Sequence, residues 1–354
     1  MGMNNIAIVE TIAKRVAAGD RDFGRVKATE EGEYVLLNYR RDAMYGDLFT
    51  GVEMACRGLV IRTDGKIMCL PFPRMFNLGE PQCPALPDEP YTVWEKVDGS
   101  LILAWLGGGV WRCNTRGSFD NEYIGAATSH WDAMLRNGPV SLREEILGCH
   151  ELSPDVTVMC EICIDNDPMP RAVPHPPGLY LLAVRNRITG EDIPLWDIQT
   201  SLPKAKQVYA SIDELVGLRE TDEGNEGWVI RFEGGLRVKI KTRWYLRLFR
   251  AIASMTPKRI RELMLSNDDW LQEFPDDLRP DAQAIGSRIE DACDELVSAV
   301  QSAYAGISHL SLRKDFAQAV LADYPEISSW LFLMRDGQFE ERKVLEKLDL
   351  TRCS

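Results

Sequence analysis

Between Leu236 and Lys241 the chain alternates strictly. Leu236, Val238 and Ile240 are apolar, and Arg237, Lys239 and Lys241 between them are cations. A period of two belongs to a strand that buries one face, and the other face here carries only positive charge. The preceding run, Gly227 to Glu233, reads as a neighbouring strand. Across residues 231–250 stand Arg231, Arg237, Lys239, Lys241, Arg243, Arg247 and Arg250, against the single acid Glu233. The concentration matters because the net charge of −13 argues against broad binding of nucleic acid. If such a chain handles nucleic acid, it does so through local positive charge.

Further strand signals precede this stretch. Glu33 to Tyr39 reads as a strand. Leu59 to Arg62 and Lys66 to Leu70 flank Thr63-Asp64-Gly65, a hairpin signature. Strands are expected at Tyr91 to Glu95, Leu101 to Leu106 and Val110 to Asn114, then at Val156 to Ile164 and Leu179 to Arg185. Residues 7–18 and 121–148 read as helices, and 81–90 and 168–177 as proline-rich loops. Residues 213–226 read as an acidic, solvated helix and loop. After Thr256 the strand signals stop. Pro257 suits the first turn of a helix carrying Ile260, Leu263 and Met264, and residues 280–304 and 312–335 also fit helices. The length of 354 residues accommodates two domains at roughly 150 residues each. The expected fold class is α+β: a domain of antiparallel sheets over 1–250, then an all-helical domain over 251–354.

No apolar run approaches the ~20 residues needed to cross a bilayer. The start, Met1-Gly2-Met3-Asn4-Asn5-Ile6, lacks a basic segment followed by an apolar one, so no secretory signal is expected. Nine scattered cysteines read as reduced thiols of a cytoplasmic protein. Cys160-x-x-Cys163 is the only close pair and lacks two further zinc ligands at matching spacing.

Trp94-Glu95-Lys96-Val97-Asp98-Gly99-Ser100 places a lysine just before an Asp-Gly turn. Lys-x-Asp-Gly alone arises by chance in roughly one chain in ten of this length, and an exposed lysine beside a turn is its plain reading. A lysine that attacks phosphorus must be unprotonated, and at a pKa of ~10.4 it almost never is. Nearby cations and burial lower that value, and the face carrying Lys239 and Lys241 could supply the cations. The same pair could hold a triphosphate; alone, it would read as a solvated strand face. Glu226 closes an acidic stretch before Gly227, where a carboxylate can reach a metal-bound phosphate; one more solvated acid is the alternative. Glu161 stands among apolar neighbours mid-strand, where a ribose hydroxyl or a structural salt bridge would satisfy it.

Lys96-Val97-Asp98-Gly99, Glu161, Glu226-Gly227-Trp228-Val229 and Lys239-Ile240-Lys241 stand in the order of the covalent nucleotidyltransferases, the superfamily of ligases and capping enzymes. Finer features resemble the phage RNA ligase 1 family. They are Cys56-Arg57-Gly58, Arg74-Met75-Phe76-Asn77-Leu78, Thr115-Arg116-Gly117-Ser118, Val184-Arg185-Asn186 with Thr189-Gly190-Glu191, and Lys239-Ile240-Lys241-Thr242-Arg243-Trp244-Tyr245. Arg74 and Arg116 replace lysines of the family pattern. Around Cys160 to Val173 the chain departs from it, and only Arg171-Ala172-Val173 resembles its Arg-Ile-Val. Ser266-Asn267-Asp268-Asp269 resembles the family's carboxy-terminal domain more weakly.

The resemblance implies roles. Lys96 would form the lysyl-AMP bond. Tyr39, Arg57, Arg74, Phe76, Lys239 and Lys241 would contact ATP, Glu161 its ribose, and Glu226 and Asp268 a metal. Asp98, Arg116 and Tyr245 would be needed for activity. The implied activity is ATP-dependent joining of 5′-phosphate and 3′-hydroxyl RNA ends with magnesium, or manganese in its place. RNA repair is the implied setting, with tRNA as the family's precedent, by a monomer in the cytoplasm (the host's, if phage-encoded). Two alternatives remain open: a DNA ligase or capping-type nucleotidyltransferase, and an RNA-end-binding protein without turnover.

Overall fold

The computed structural model describes residues 6–45, 49–137, 155–165, 167, 171–198, 200 and 202–352. They form two compact units, Met1–Leu246 and Arg247–Ser354.

The first unit holds three sheets. Strands β1 (Val26–Glu31), β2 (Tyr34–Tyr39), β3 (Arg57–Arg62) and β4 (Ile67–Cys69) form an antiparallel meander. The β3–β4 hairpin turns at Asp64-Gly65, where Gly65 has φ +89°. The second sheet runs β11-β10-β9-β7-β8 and is antiparallel throughout, from β7 (Ser100–Gly107), β8 (Val110–Asn114), β9 (Val156–Cys163), β10 (Gly178–Asn186) and β11 (Asp192–Ile193). The third runs β12-β6-β13-β14-β5, from β5 (Phe76–Asn77), β6 (Tyr91–Glu95), β12 (Gln207–Val208), β13 (Gly227–Phe232) and β14 (Arg237–Lys241). Its short β5 alone lies parallel to its neighbour, β14.

Burial explains the layering. Tyr34-Val35-Leu36-Leu37 is apolar at every position because both faces of β2 are covered. Val35 and Leu37 pack with Val9, Ile12 and Val16 of the helix Ile6–Ala17. Tyr34 and Leu36 pack with Leu103, Trp105 and Met159 of the second sheet. In β9, Val158, Cys160 and Ile162 face a core that includes Ile124 and Ala127 of the helix Glu122–Asn137. The alternate face carries Thr157, Met159 and Glu161, so the strand's period aims Glu161 away from that helix. The expected helix over 121–148 is seen to Asn137; its remainder lies outside the described residues, as do 168–170 of the expected loop.

A buried seam joins the second and third sheets. Arg185 of β10, Arg231 of β13 and Arg237 of β14 converge on Asp192 of β11. Arg185 is 2.8 Å and Arg231 3.3 Å from its carboxylate, and Arg237 is hydrogen-bonded to it. Phe72 lies beneath Arg237 and Arg185, 4.3 and 5.5 Å from ring centre to guanidinium. Burial would raise the Asp192 carboxyl, but Arg237 and Arg185 outweigh it and hold the group far below its ordinary value.

The described residues of the second unit contain helices and no strand. Helix Pro257–Ser266 begins at Thr256, whose hydroxyl caps the Arg259 N–H, with Pro257 in the first turn. The long helix Arg279–Ile307 packs Ala282, Ile289 and Val297 around Trp270 and Phe274. Its Gly286 makes room for the Trp270 ring, which would lie 2.7 Å from a Cβ there. The single helix expected over 312–335 is two, Arg313–Asp323 and Ser328–Arg335. The break falls at Tyr324-Pro325, where proline disfavours helical backbone in the residue before it.

Candidate functional site

The third sheet builds the site. Its Trp228, Ile230, Phe232, Val238 and Ile240 pack with Leu215 of the helix Ile212–Thr221. By alternation, Arg237, Lys239 and Lys241 project from the opposite face. Gly227 lets β13 and β14 close tightly: its φ is +141°, and a Cβ would lie 1.9 Å from the Ile240 carbonyl oxygen.

Lys96 follows β6, and its N–H donates to the Gly227 carbonyl at 2.9 Å. The Lys96 Nζ donates to Glu226 Oε2 at 2.8 Å, and the other oxygen of Glu226 is 2.8 Å from Lys241 Nζ. Glu226 is 2% exposed. It is therefore not the solvated acid of an acidic loop but a buried carboxylate shared by two ammoniums. Lys241 also lies over the Tyr245 ring at 4.6 Å. The Tyr245 hydroxyl donates to Asp98 Oδ1 at 3.3 Å, and Asp98 Oδ2 accepts the N–H groups of Ala172 and Val173, both at 3.1 Å.

The electrostatics correct one expectation. Cations were to keep the Lys96 amine neutral. Burial does push it down, but Glu226, Glu161 and Asp98 outweigh burial, so Lys96 stands above the ordinary lysine value. The amine that the cations depress is Lys239, brought down to about 8 by burial and then by Lys241, Lys96 and Arg57. The period of β14 assigns its lysines to a face but not what lies opposite, and three carboxylates lie opposite. Burial pushes the Glu161 carboxyl up to about 7, since the attraction of Lys96 and Arg57 does not offset it. Burial and then Glu226 raise Asp98, whereas Lys96 and Lys241 overcome burial to keep Glu226 low.

A second group of cations surrounds Tyr39. Its hydroxyl oxygen accepts from Arg116 Nη1 at 3.0 Å and Arg74 Nη1 at 3.2 Å. Arg74 lies over Phe49 at 4.2 Å and over Phe76 at 5.2 Å. Burial would raise the Tyr39 phenol, but Arg116, Arg57 and Arg74 lower it. Arg57 Nη1 and Arg74 Nε are buried with no hydrogen-bond partner. Gly58 supports this arrangement: with φ +97°, it leaves no room for a Cβ, which would meet Leu103 at 2.5 Å and the Arg116 Cα at 3.2 Å.

The first unit thus brings together Lys96, Asp98, Glu161, Glu226, Lys239, Lys241 and Tyr245, with Arg57 linking them to Tyr39, Arg74, Phe76 and Arg116. Asp268 belongs to the second unit, exposed in the turn after helix Pro257–Ser266. Among the described residues no cluster of three or more His, Cys, Asp or Glu side chains is placed to hold a metal, Cys160 and Cys163 included. One residue escaped the sequence reading. Arg171 donates to the Gly99 carbonyl at 2.8 Å and the Ser100 hydroxyl at 2.7 Å. The Arg171-Ala172-Val173 match was its only signal.

A family model described as RNA ligase matches residues 55–245. The chain belongs to that family, the phage RNA ligase 1 family. RNA ligase 1 of bacteriophage TS2126 is 33% identical over 215 residues, 55% of this chain and 51% of that protein. An RNA ligase of Rhodothermus phage RM378 is 24% identical over an alignment of 409 positions, 92% of this chain and 90% of that protein. The chain thus spans about half the length of the first relative and most of the second. A solved archaeal ATP-dependent RNA ligase (form 2) aligns over 96% of this chain and all of its own, at 16% identity and TM-score 0.45.

Proposed function

We propose that the chain is an ATP-dependent RNA ligase that joins a 5′-phosphate to a 3′-hydroxyl end. The observation that carries the reading is the partly buried Lys96 amine set between Glu226 and the cationic face of β14. The Lys96 nitrogen attacks the α-phosphorus of ATP. An N–P bond forms, the bond from phosphorus to the bridging oxygen breaks, and pyrophosphate leaves with its electron pair. The ammonium must shed protons as the N–P bond forms, and Glu226, 2.8 Å from the Lys96 nitrogen, is the acceptor in contact with it. The 5′-phosphate of RNA then takes AMP from the lysine, and the 3′-hydroxyl of a second end displaces AMP.

Lys239, Lys241, Arg57, Arg74 and Arg116 are proposed to hold the triphosphate, which offers an anion to the buried, unpartnered Arg57 Nη1 and Arg74 Nε. Phe76 and Tyr39 back the guanidiniums. Glu161 is assigned to the ribose, and Asp98 and Tyr245 to fixing the turn beside Lys96. A divalent ion, magnesium or manganese, would enter with the phosphates and neutralise their charge. Mg²⁺ ordinarily keeps one or two carboxylates plus substrate phosphates as ligands, so a preformed cage is not required. Glu226 is the carboxylate suited to it; the assignment of Asp268 rests on resemblance alone. The helical unit, at 251–354 in this reading, is proposed to select the RNA, with tRNA as one candidate. Its lack of strands among the described residues disfavours a capping or DNA ligase reading, which expects a β-barrel there.

The test is incubation with α-labelled ATP and magnesium. The wild type should carry covalent label that is stable to alkali and released by acid, as a phosphoramidate is, and Lys96→Ala none. RNA with a 5′-phosphate should then chase the label into adenylated RNA and, as the ends are joined, into free AMP. Label on Lys96→Ala would overturn the assignment. Retained RNA binding without any adenylated RNA would favour the binding protein.

A further inference from the structure

Residues 171–173 lie against the turn that follows Lys96. Arg171 donates to the Gly99 carbonyl and the Ser100 hydroxyl, and its guanidinium lies 3.8 Å from Asp98 Oδ1. The next two N–H groups, of Ala172 and Val173, both donate to Asp98 Oδ2. Arg171 is itself anchored. Its Nε donates to Asp167 Oδ2 at 2.8 Å, and Asp167 Oδ1 accepts the Tyr123 hydroxyl at 2.6 Å from the helix Glu122–Asn137. The turn has no slack on its other side either. A Cβ at Gly99 would lie 2.5 Å from the Ile162 carbonyl oxygen and 2.8 Å from Glu161 Cγ, so the turn is pressed against β9.

We infer that Arg171, anchored through Asp167 and Tyr123, is a positioning residue that fixes the Lys96–Ser100 turn and so the direction from which the Lys96 amine meets the α-phosphorus. The inference rests on the lysyl-AMP reading above. None of the Arg171 bonds reaches Lys96 Nζ, so the residue acts through backbone geometry rather than charge transfer. A partly buried guanidinium with three donors in use, at 15% side-chain exposure, holds its acceptors in one arrangement. A misplacement of about 1 Å in a reacting group can cost about 100-fold in rate. The effect is specific to one step: sealing of RNA that is already adenylated does not use Lys96 as a nucleophile.

The experiment compares wild type, Lys96→Ala, Arg171→Met and Arg171→Lys in two assays. One is single-turnover label transfer from α-labelled ATP across ATP concentrations. The other is joining of chemically pre-adenylated RNA without ATP. Arg171→Met should lose about 100-fold in the rate of label uptake at saturating ATP, at unchanged half-saturating ATP, while it still joins pre-adenylated RNA. Arg171→Lys, which can restore one of the two bonds, should fall between. Equal loss in both assays, full label uptake by Arg171→Met, or unfolding of both variants would overturn the inference in favour of a packing role or none. If the wild type takes no label, the lysyl-AMP reading itself fails, and the inference falls with it.

Discussion

The Lys96 ammonium and the Glu226 carboxylate meet at 2.8 Å, and the carboxylate is the more deeply buried of the two, at 2% against 24% side-chain exposure. Glu226 cannot turn to water, and its second oxygen is already committed to Lys241. The pair therefore defines the resting state from which the amine must be released.

Glu226→Gln removes the charge that both lysines share. Breaking a buried ion pair on one side costs about 3 kcal/mol or more, and urea unfolding at pH 7 should show a loss of that order. Glu226 is held below its ordinary 4.5, so its contribution is present above that value and disappears as pH falls below it. The gap between variant and wild type should accordingly close in acid. A gap that persists unchanged to the lowest pH at which the fold survives would refute the ion-pair account.

Glu161 runs the other way. Its carboxyl is raised from 4.5 to about 7. Between those values the folded protein holds a proton that the unfolded chain has released, so this group's contribution to stability declines as pH rises. Glu161→Gln cannot titrate. Its stability relative to wild type should improve between pH 4.5 and 8 by about 3 kcal/mol, at 1.36 kcal/mol per pKa unit. Denaturant midpoints across that range check this, and a constant difference would mean that Glu161 ionises like an exposed glutamate.

Arg57, Arg74 and Arg116 crowd a single phenol. Arg116→Gln should leave the thermal midpoint unchanged or higher, because it relieves like charge. The same change should raise half-saturating ATP in the labelling reaction about tenfold, the equivalent of 1.4 kcal/mol for one charge-assisted bond. Substitutions that improve stability at the expense of the site are expected where function maintains strain. A variant that loses stability with no change in ATP dependence would return these arginines to a structural role.

Two glycines should respond in opposite ways. Gly227→Ala drives a methyl into the Ile240 carbonyl and should cost about 3 kcal/mol or more. Gly125, exposed in helix Glu122–Asn137 with nothing within 4 Å of its would-be Cβ, should gain up to about 1 kcal/mol as alanine. Paired urea melts decide the matter, and a tolerated Gly227→Ala would contradict the close approach of β13 and β14.

What the sequence revealed is what repeats locally. The alternation of Leu236 to Lys241 defined a strand and its two faces, and Asp64-Gly65 defined a hairpin. The order of motifs placed Lys96, Glu226 and the β14 lysines in one site. What it hid lies across long loops. Lys96 and Glu226 are 130 positions apart, and Arg171 and Gly99 are 72 apart. No periodicity says which side chain will stand opposite another once three sheets pack. Hence the sign of the Lys96 shift was misjudged: the cations on β14 were legible, the carboxylates facing Lys96 were not. The break at Tyr324-Pro325 is a local signal, a proline inside the expected helix over 312–335, and the structure divides the helix there.

Asp192 has a reach that its position does not suggest. It clamps Arg237, the first residue of β14, and Lys241 is the last residue of the same strand, roughly 13 Å away at 3.3 Å per residue. A short strand clamped at its root is a stiff arm, and the arm's tip is the ammonium that shares Glu226 with Lys96. Loosening the root, as Asp192→Asn would, swings the tip without altering any residue at the tip. Tolerance to substitution in this enzyme family should therefore be mapped along the arm and its clamp as well as around the nucleotide.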